Sequence, residues 1–152
     1  MVTVTSTEIK DILQQKTGCS ESIIHTPDTF YNLMKWSFIH DFCYPCFRKW
    51  LKTHDIVKWT KSFDCDNYAE SMRVYVQIIH SNYARKVRER QSHWSSAFGV
   101  IWYRRKKLGG HAINILLTVS GNEYRIIYIE PQTGEEIKLT QEEIDSINFI
   151  LI

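Results

Sequence analysis

The sequence predicts an α+β fold, helices first and an antiparallel meander after them, on three observations. From Asp64 to about Asn82, Cys65, Ala69, Met72, Val76 and Ile79 recur at helical spacing while Glu70 and Arg73 fall off that stripe. From residue 98 the chain changes character: segments 98–103, 111–119 and 123–130 are rich in Val, Ile, Leu and Tyr, and Ser120-Gly121-Asn122 is a hairpin signal. The 152 residues carry ordinary apolar and charged fractions, enough for one core to fold unaided.

Taken in order, Thr7 to Lys16 reads as a short helix, with Ile9, Ile12 and Leu13 on one face and Gly18 placed to stop it. Thr26-Pro27-Asp28 reads as a second helix start, with Phe30, Leu33 and Met34 on one side. Pro45 breaks the following segment, and residues 47–52 make another helical turn or two. Ser62 or Asp64 can cap the helix that Cys65 begins. Residues 106–110 and 131–134 are turns, and a short strand is expected at 136–139. Thr140-Gln141-Glu142-Glu143 is a capping box opening a last acidic turn. The expected organisation is a single domain over 1–152. Its parts are a mostly helical stretch at 1–61, the cysteine helix at 62–82 and an antiparallel sheet at 98–139.

Net charge is only +2, which excludes global polyelectrolyte character. The charge is unevenly placed: eight basic residues against Glu89 alone lie between Arg85 and Lys107, and six acids against Lys138 lie between Glu130 and Asp145. The N-terminus has no basic region followed by an apolar core, and no apolar run reaches a membrane span. Four cysteines, Cys19, Cys43, Cys46 and Cys65, are too few and too irregular for a disulfide scaffold. Free thiols and a cytoplasmic location are the expectation, with no membrane partner.

The segment Ser62 to Glu70 puts Cys65 at a helix start, Gly109-Gly110-His111 brings a histidine into a strand, and Ile129-Glu130-Pro131 puts a carboxylate at the exit of the next. A thiol at a helix N-terminus meets the positive end of the helix dipole and free backbone N–H groups, which favour the thiolate. In a hairpin turning near Gly121, residue 111 faces roughly residues 130–132, so Glu130 is within side-chain reach of His111. Cys, His and acid in that order are the groups a thiol hydrolase uses to attack, move protons and hold the imidazole. The bland reading is a buried thiol on an apolar stripe beside solvated strand-end residues.

Residues 63–72, 110–114 and 129–134 resemble the protease-like C-terminal domain of the Marasmius oreades agglutinin and phage proteins related to that lectin. The resemblance covers about half the chain and rests on the aspartate–cysteine–aspartate helix start, the glycine–histidine–alanine–x–asparagine strand and the glutamate–proline–glutamine turn. It implies a papain-like fold, N-terminal helices with the nucleophile at a helix N-terminus packed on a small antiparallel sheet. It further implies Cys65 as nucleophile, His111 as general base and acid, and Glu130 as the residue orienting the imidazole. The expected activity is a cysteine-dependent, peptidase-like cleavage of an amide in a protein or peptide substrate, with deamidation or acyl transfer as variants. The phage resemblance implies action on host components in the host cytoplasm. The agglutinin's sugar-binding trefoil has no counterpart here, so no carbohydrate binding is expected. No cofactor or metal is expected; Asp64 and Asp66 could hold a divalent cation such as calcium or could cap the helix.

Two other constellations compete. Cys43-Tyr44-Pro45-Cys46 could be a redox pair or, with His40 and His54, a zinc site. The basic aromatic face at residues 85–107, with Trp94, Trp102 and Tyr103, could make a non-catalytic module binding nucleic acid or an acidic protein.

Overall fold

Thr5 opens the first helix with a complete capping box: its side chain accepts from Glu8 N–H, and the Glu8 carboxylate accepts from Thr5 N–H at 2.7 Å. The structure, a computed structural model, describes residues 2–56, 58–86 and 94–152. Strand β1 (Val2–Thr5) leads into α1 (Ser6–Thr17), which ends at Gly18 in the left-handed conformation, φ 74°. Strands β2 (Ile24–His25) and β3 (Phe30–Leu33) follow. A π-helical turn over Phe38–Cys43 then feeds α2 (Tyr44–Thr53). Pro45 falls in the first turn of α2, where its missing N–H is least costly. The long helix α3 (Cys65–Lys86) precedes β4 (Ser95–Ser96), β5 (Phe98–Arg105), β6 (Gly109–Ser120) and β7 (Glu123–Ile129). Strand β8 (Glu136–Ile137), helix α4 (Gln141–Asp145) and strand β9 (Phe149–Leu151) complete the chain.

The strands form a six-stranded sheet, β2-β9-β5-β6-β7-β8, and a three-stranded one, β1-β3-β4. Strands β5, β6 and β7 are antiparallel neighbours, whereas β2–β9 and β3–β4 pair in parallel. Strand β6 is buried on both faces. Ile113, Ile115 and Leu117 pack with Ile9 and Leu13 of α1, while Leu116 packs with Phe47 of α2 and with Met72 and Val76 of α3. That is why its sequence reads as a continuous apolar run rather than an alternation.

One polar group interrupts this interior. Asn114 is fully buried, and its Nδ2 donates to the carbonyls of Ala69 (2.8 Å) and Gly99 (3.0 Å), tying α3 to β5 through β6. Asn114→Ala would remove both of these buried hydrogen bonds, so a loss of about 2 kcal/mol in urea-unfolding stability is expected.

The expected papain-like plan of helices followed by a small antiparallel sheet is corrected here. The N-terminal part contributes three strands, and the main sheet is a six-stranded mixed one. Where a second helix was expected after Asp28, residues 30–33 form β3 instead. Tyr31 is fully buried there, and β3 is hydrogen-bonded to β1 on one side and β4 on the other. Pairing with distant strands overrode a helical spacing that was only local. Strand β9, three residues long, carries no period of its own and exists because β5 offers it an edge.

The basic face is corrected as well. Arg104 lines a cleft beside Cys65, the first residue of α3, whereas Arg85 and Lys86 end that helix roughly 30 Å further along its axis. Lys106 is paired with Glu142 at 3.1 Å, and Trp94 stacks on Phe30. The part of that face at 87–93 lies outside the described residues.

Candidate functional site

Cys65 is half-buried at the start of α3, its side chain against Ala69, Val100 and Ala112. Asp64 sits immediately before the helix: its carbonyl accepts from Tyr68 N–H at 3.0 Å and its own N–H donates to Asn67 Oδ1 at 3.2 Å. His111 is the third residue of β6, opposite Tyr103 of β5, whose ring it meets edge-on at 5.8 Å. Burial pushes the Tyr103 phenol up to about 12, so it stays a neutral donor over the working range.

His111 and Glu130 are brought together. His111 Nε2 lies 2.9 Å from Glu130 Oε2, with side chains 6% and 20% exposed. A carboxylate on Nε2 keeps the proton there and leaves Nδ1 as a lone pair; that Nδ1 is buried and meets no protein partner. Cys65 and His111 line the same open cleft of about 460 Å³, together with Trp102, Arg104 and Asn148. No hydrogen bond joins the Cys65 thiol to the His111 ring; what they share is the cleft.

The loop carrying Glu130 is held from two sides. Gln132 N–H donates to Glu130 Oε1 at 3.2 Å and Gly134 N–H to the Glu130 carbonyl at 2.7 Å. From α2, Tyr44 Oη (2.8 Å) and Arg48 Nη1 (2.7 Å) both donate to the Gln132 carbonyl. Gly134 adopts φ 76° with its Cα against the Tyr44 ring, so any side chain there would strike the ring. Tyr44 and Arg48 were missed by sequence reasoning, because nothing local connects them to a loop more than eighty residues on.

Asp64, Cys65 and Asp66 each offer a ligand atom, all within 4.8 Å of one another. Three atoms of mixed hardness fall short of the about six to eight oxygens calcium takes. The two carboxylates interact directly, and the hydrogen bond to Asp64, with burial next, holds the Asp66 carboxyl above its ordinary range. The folded chain therefore keeps that proton to a higher pH than the unfolded chain, so this group's contribution to stability falls as pH rises above the usual carboxylate range. Asp66→Asn removes this, and its unfolding midpoint relative to wild type is expected to improve from pH 4 to pH 7; a flat difference would contradict the shared proton.

The Cys43–Cys46 pair does not gather a zinc set. His40 Nδ1 is on Asp41 at 2.7 Å, His54 Nδ1 is on the Trp50 carbonyl at 2.9 Å, and neither joins a metal-holding group among the described residues. Burial, then the neighbouring Cys46, pushes the Cys43 thiol up to about 12, which suits a core thiol.

A family model described as "Agglutinin C-terminal" matches residues 48–136, more than half of the chain. No curated protein matches. Among solved structures, the Polyporus squamosus lectin bound to the human-type influenza-binding epitope Neu5Acα2-6Galβ1-4GlcNAc is similar at TM-score 0.72 and 17% identity, over 99% of this chain and 49% of that one. A structure described as the PSL1a–E64 complex is similar at TM-score 0.71 and 17% identity, over 99% of this chain and 51% of that one. The chain thus spans about half the length of the chains it resembles, and the fold is of that lectin type.

These findings correct the functional expectations. The peptidase-like amide hydrolase, its protein or peptide substrate and the nucleic-acid alternative give way to a likeness to a glycan-bound lectin.

Proposed function

Since the chain belongs to the agglutinin C-terminal family, we propose that it serves as a domain of a glycan-recognising, lectin-type protein, and that its own working site is the cleft over Cys65, His111 and Glu130. In that cleft Cys65 is a nucleophilic thiol, His111 takes its proton, and Glu130 orients the ring. The observation that carries this is the His111–Glu130 contact of 2.9 Å, which leaves a buried ring nitrogen unpartnered in the wall that Cys65 shares. A histidine held this way inside a core is costly unless its free nitrogen has a use. What is proposed is capture of an electrophilic ligand by the thiol, not a hydrolytic cycle.

The carbohydrate side rests on the family and on the lectin likeness. The cleft supports it with a half-exposed Trp102 ring, which offers an apolar face, and with Arg104 and Asn148 at its rim as hydrogen-bonding groups.

Two measurements test the halves separately. The first uses a small strained epoxide as an electrophilic probe. The Cys65 sulfur would attack an epoxide carbon; a C–S bond forms, the C–O bond breaks, and the alkoxide takes the proton held by His111. Intact-mass analysis should show one adduct, mapped to Cys65 and absent from Cys65→Ser. Labelling only after unfolding would sink the thiol reading. The second follows the Trp102 indole signal by NMR while the sialylated trisaccharide is added. Saturable shifts, lost in Arg104→Ala, place the glycan in the cleft; none at millimolar sugar removes it from this domain.

A further inference from the structure

A second pocket lies at the far end of α3, away from everything described above. His80 and Tyr83 line it, and His80 is fifteen residues along the helix from Cys65, roughly 22 Å on. Its volume of about 640 Å³ is within the range of small-molecule sites. The walls come from five separate elements. Val2 comes from β1, Leu33 and Met34 from the end of β3 and the residue after it, Phe38 from the π-helical turn, His80 from α3 and Val119 from β6.

His80 is the unusual member. It is 2% exposed, and burial lowers its tendency to take a proton, so it is the neutral ring that packs there. Its Nε2 lies 3.3 Å from Asn32 Nδ2. On its other side the Asn32 amide, in the orientation found here, accepts from Thr3 Oγ1 at Oδ1, 3.1 Å away. An amide nitrogen can only donate, so Nε2 accepts and the ring proton sits on Nδ1. That N–H is buried and has no acceptor in the protein. At the mouth, Asp41 is engaged by His40, while Lys35 is exposed and has no ion pair among the described residues.

We propose that this pocket binds a small amphiphile with an apolar body and a carboxylate end. The body lies against Leu33, Met34, Phe38 and Val119; a carboxylate oxygen accepts from His80 Nδ1–H, and Lys35 favours the negative charge at the entrance. A donor hidden from water and lacking a partner is what an incoming acceptor completes, and the apolar walls exclude a purely polar ligand. This site is independent of the Cys65 cleft and shares no residue with it.

The test uses decanoate, decanol and decyltrimethylammonium as probes on the full chain, below their micellar concentrations, by calorimetry and by the His80 ring signals in NMR. Decanoate should bind saturably and shift the His80 Nδ1–H resonance. His80→Phe should weaken decanoate about tenfold, the loss of one hydrogen bond to a charged group. Lys35→Glu, on the exposed rim, should weaken decanoate by a similar factor and leave decanol within about twofold. Val119→Trp should fill the pocket and abolish binding of both, with an unchanged melting temperature showing that the fold survives. Absence of saturable decanoate binding to wild type overturns the proposal. So does tighter binding of the cationic amphiphile, or a Lys35→Glu variant that binds decanoate as well as wild type does.

Discussion

Alkylation of Cys65 by iodoacetamide at pH 7 is expected to slow on the order of 100-fold in His111→Ala, the scale on which a positioned base activates a thiol. The argument runs through the geometry at Glu130. Its Oε2 takes Nε2 of the ring at 2.9 Å, and its Oε1 is held by the Gln132 N–H, so the ring cannot rotate freely and its other nitrogen is committed to the interior. Removing the ring takes away the nitrogen base in the wall that Cys65 shares. Glu130→Gln keeps a hydrogen-bonding oxygen but loses the charge, so a severalfold slowing, smaller than that of His111→Ala, is expected. Peptide mass spectrometry reads each thiol by itself, and the half-buried Cys19 and Cys46 serve as internal controls because neither lines the cleft. Equal rates at Cys65 in wild type and His111→Ala would show that the thiol and the imidazole do not act together, whatever they share.

Gly99→Ala should be the most damaging single methyl group in the chain. A Cβ at residue 99 would run into the Leu151 carbonyl oxygen and the side chain of Ile152. The obstacle is backbone, and it belongs to a strand paired with β5. A side chain could turn aside; a paired strand cannot without breaking its ladder. The expected loss is about 4 kcal/mol, at the upper end for overpacking, and much of the population should unfold at moderate urea. The circular-dichroism melt should fall correspondingly, while Gly110→Ala, which meets no atom within 4 Å, should melt as wild type does. Two variants with similar melting temperatures would mean that β9 is not seated against β5 as it stands here.

The two glycines also show how far the chain could be read without its fold. The positions of helix α1, the β5–β6–β7 meander and the capping box at Thr140 were legible, because each signal is local: apolar spacing, turn residues and caps act over a few neighbours. The nearness of His111 and Glu130 was legible for the same reason. Once Gly121 turns the hairpin, strand register alone brings residue 111 opposite the 130–132 region, and the observed pairing of Asn114 with Ile129 is that register.

What only the tertiary structure decided is everything that rests on pairing between distant segments. Residues 30–33 have a helical spacing, yet they are a strand because β1 and β4 flank them. Gly99 is demanding only because β9 crosses it, and Tyr44 and Arg48 hold the Glu130 loop only because α2 packs beside it. The pocket around His80 is assembled from five segments, none of which signals a site alone. Local order can be set by neighbours in sequence, since its interactions close within a turn or two. Long-range pairing and pocket walls depend on which distant backbones the whole core brings together, and no short pattern encodes that.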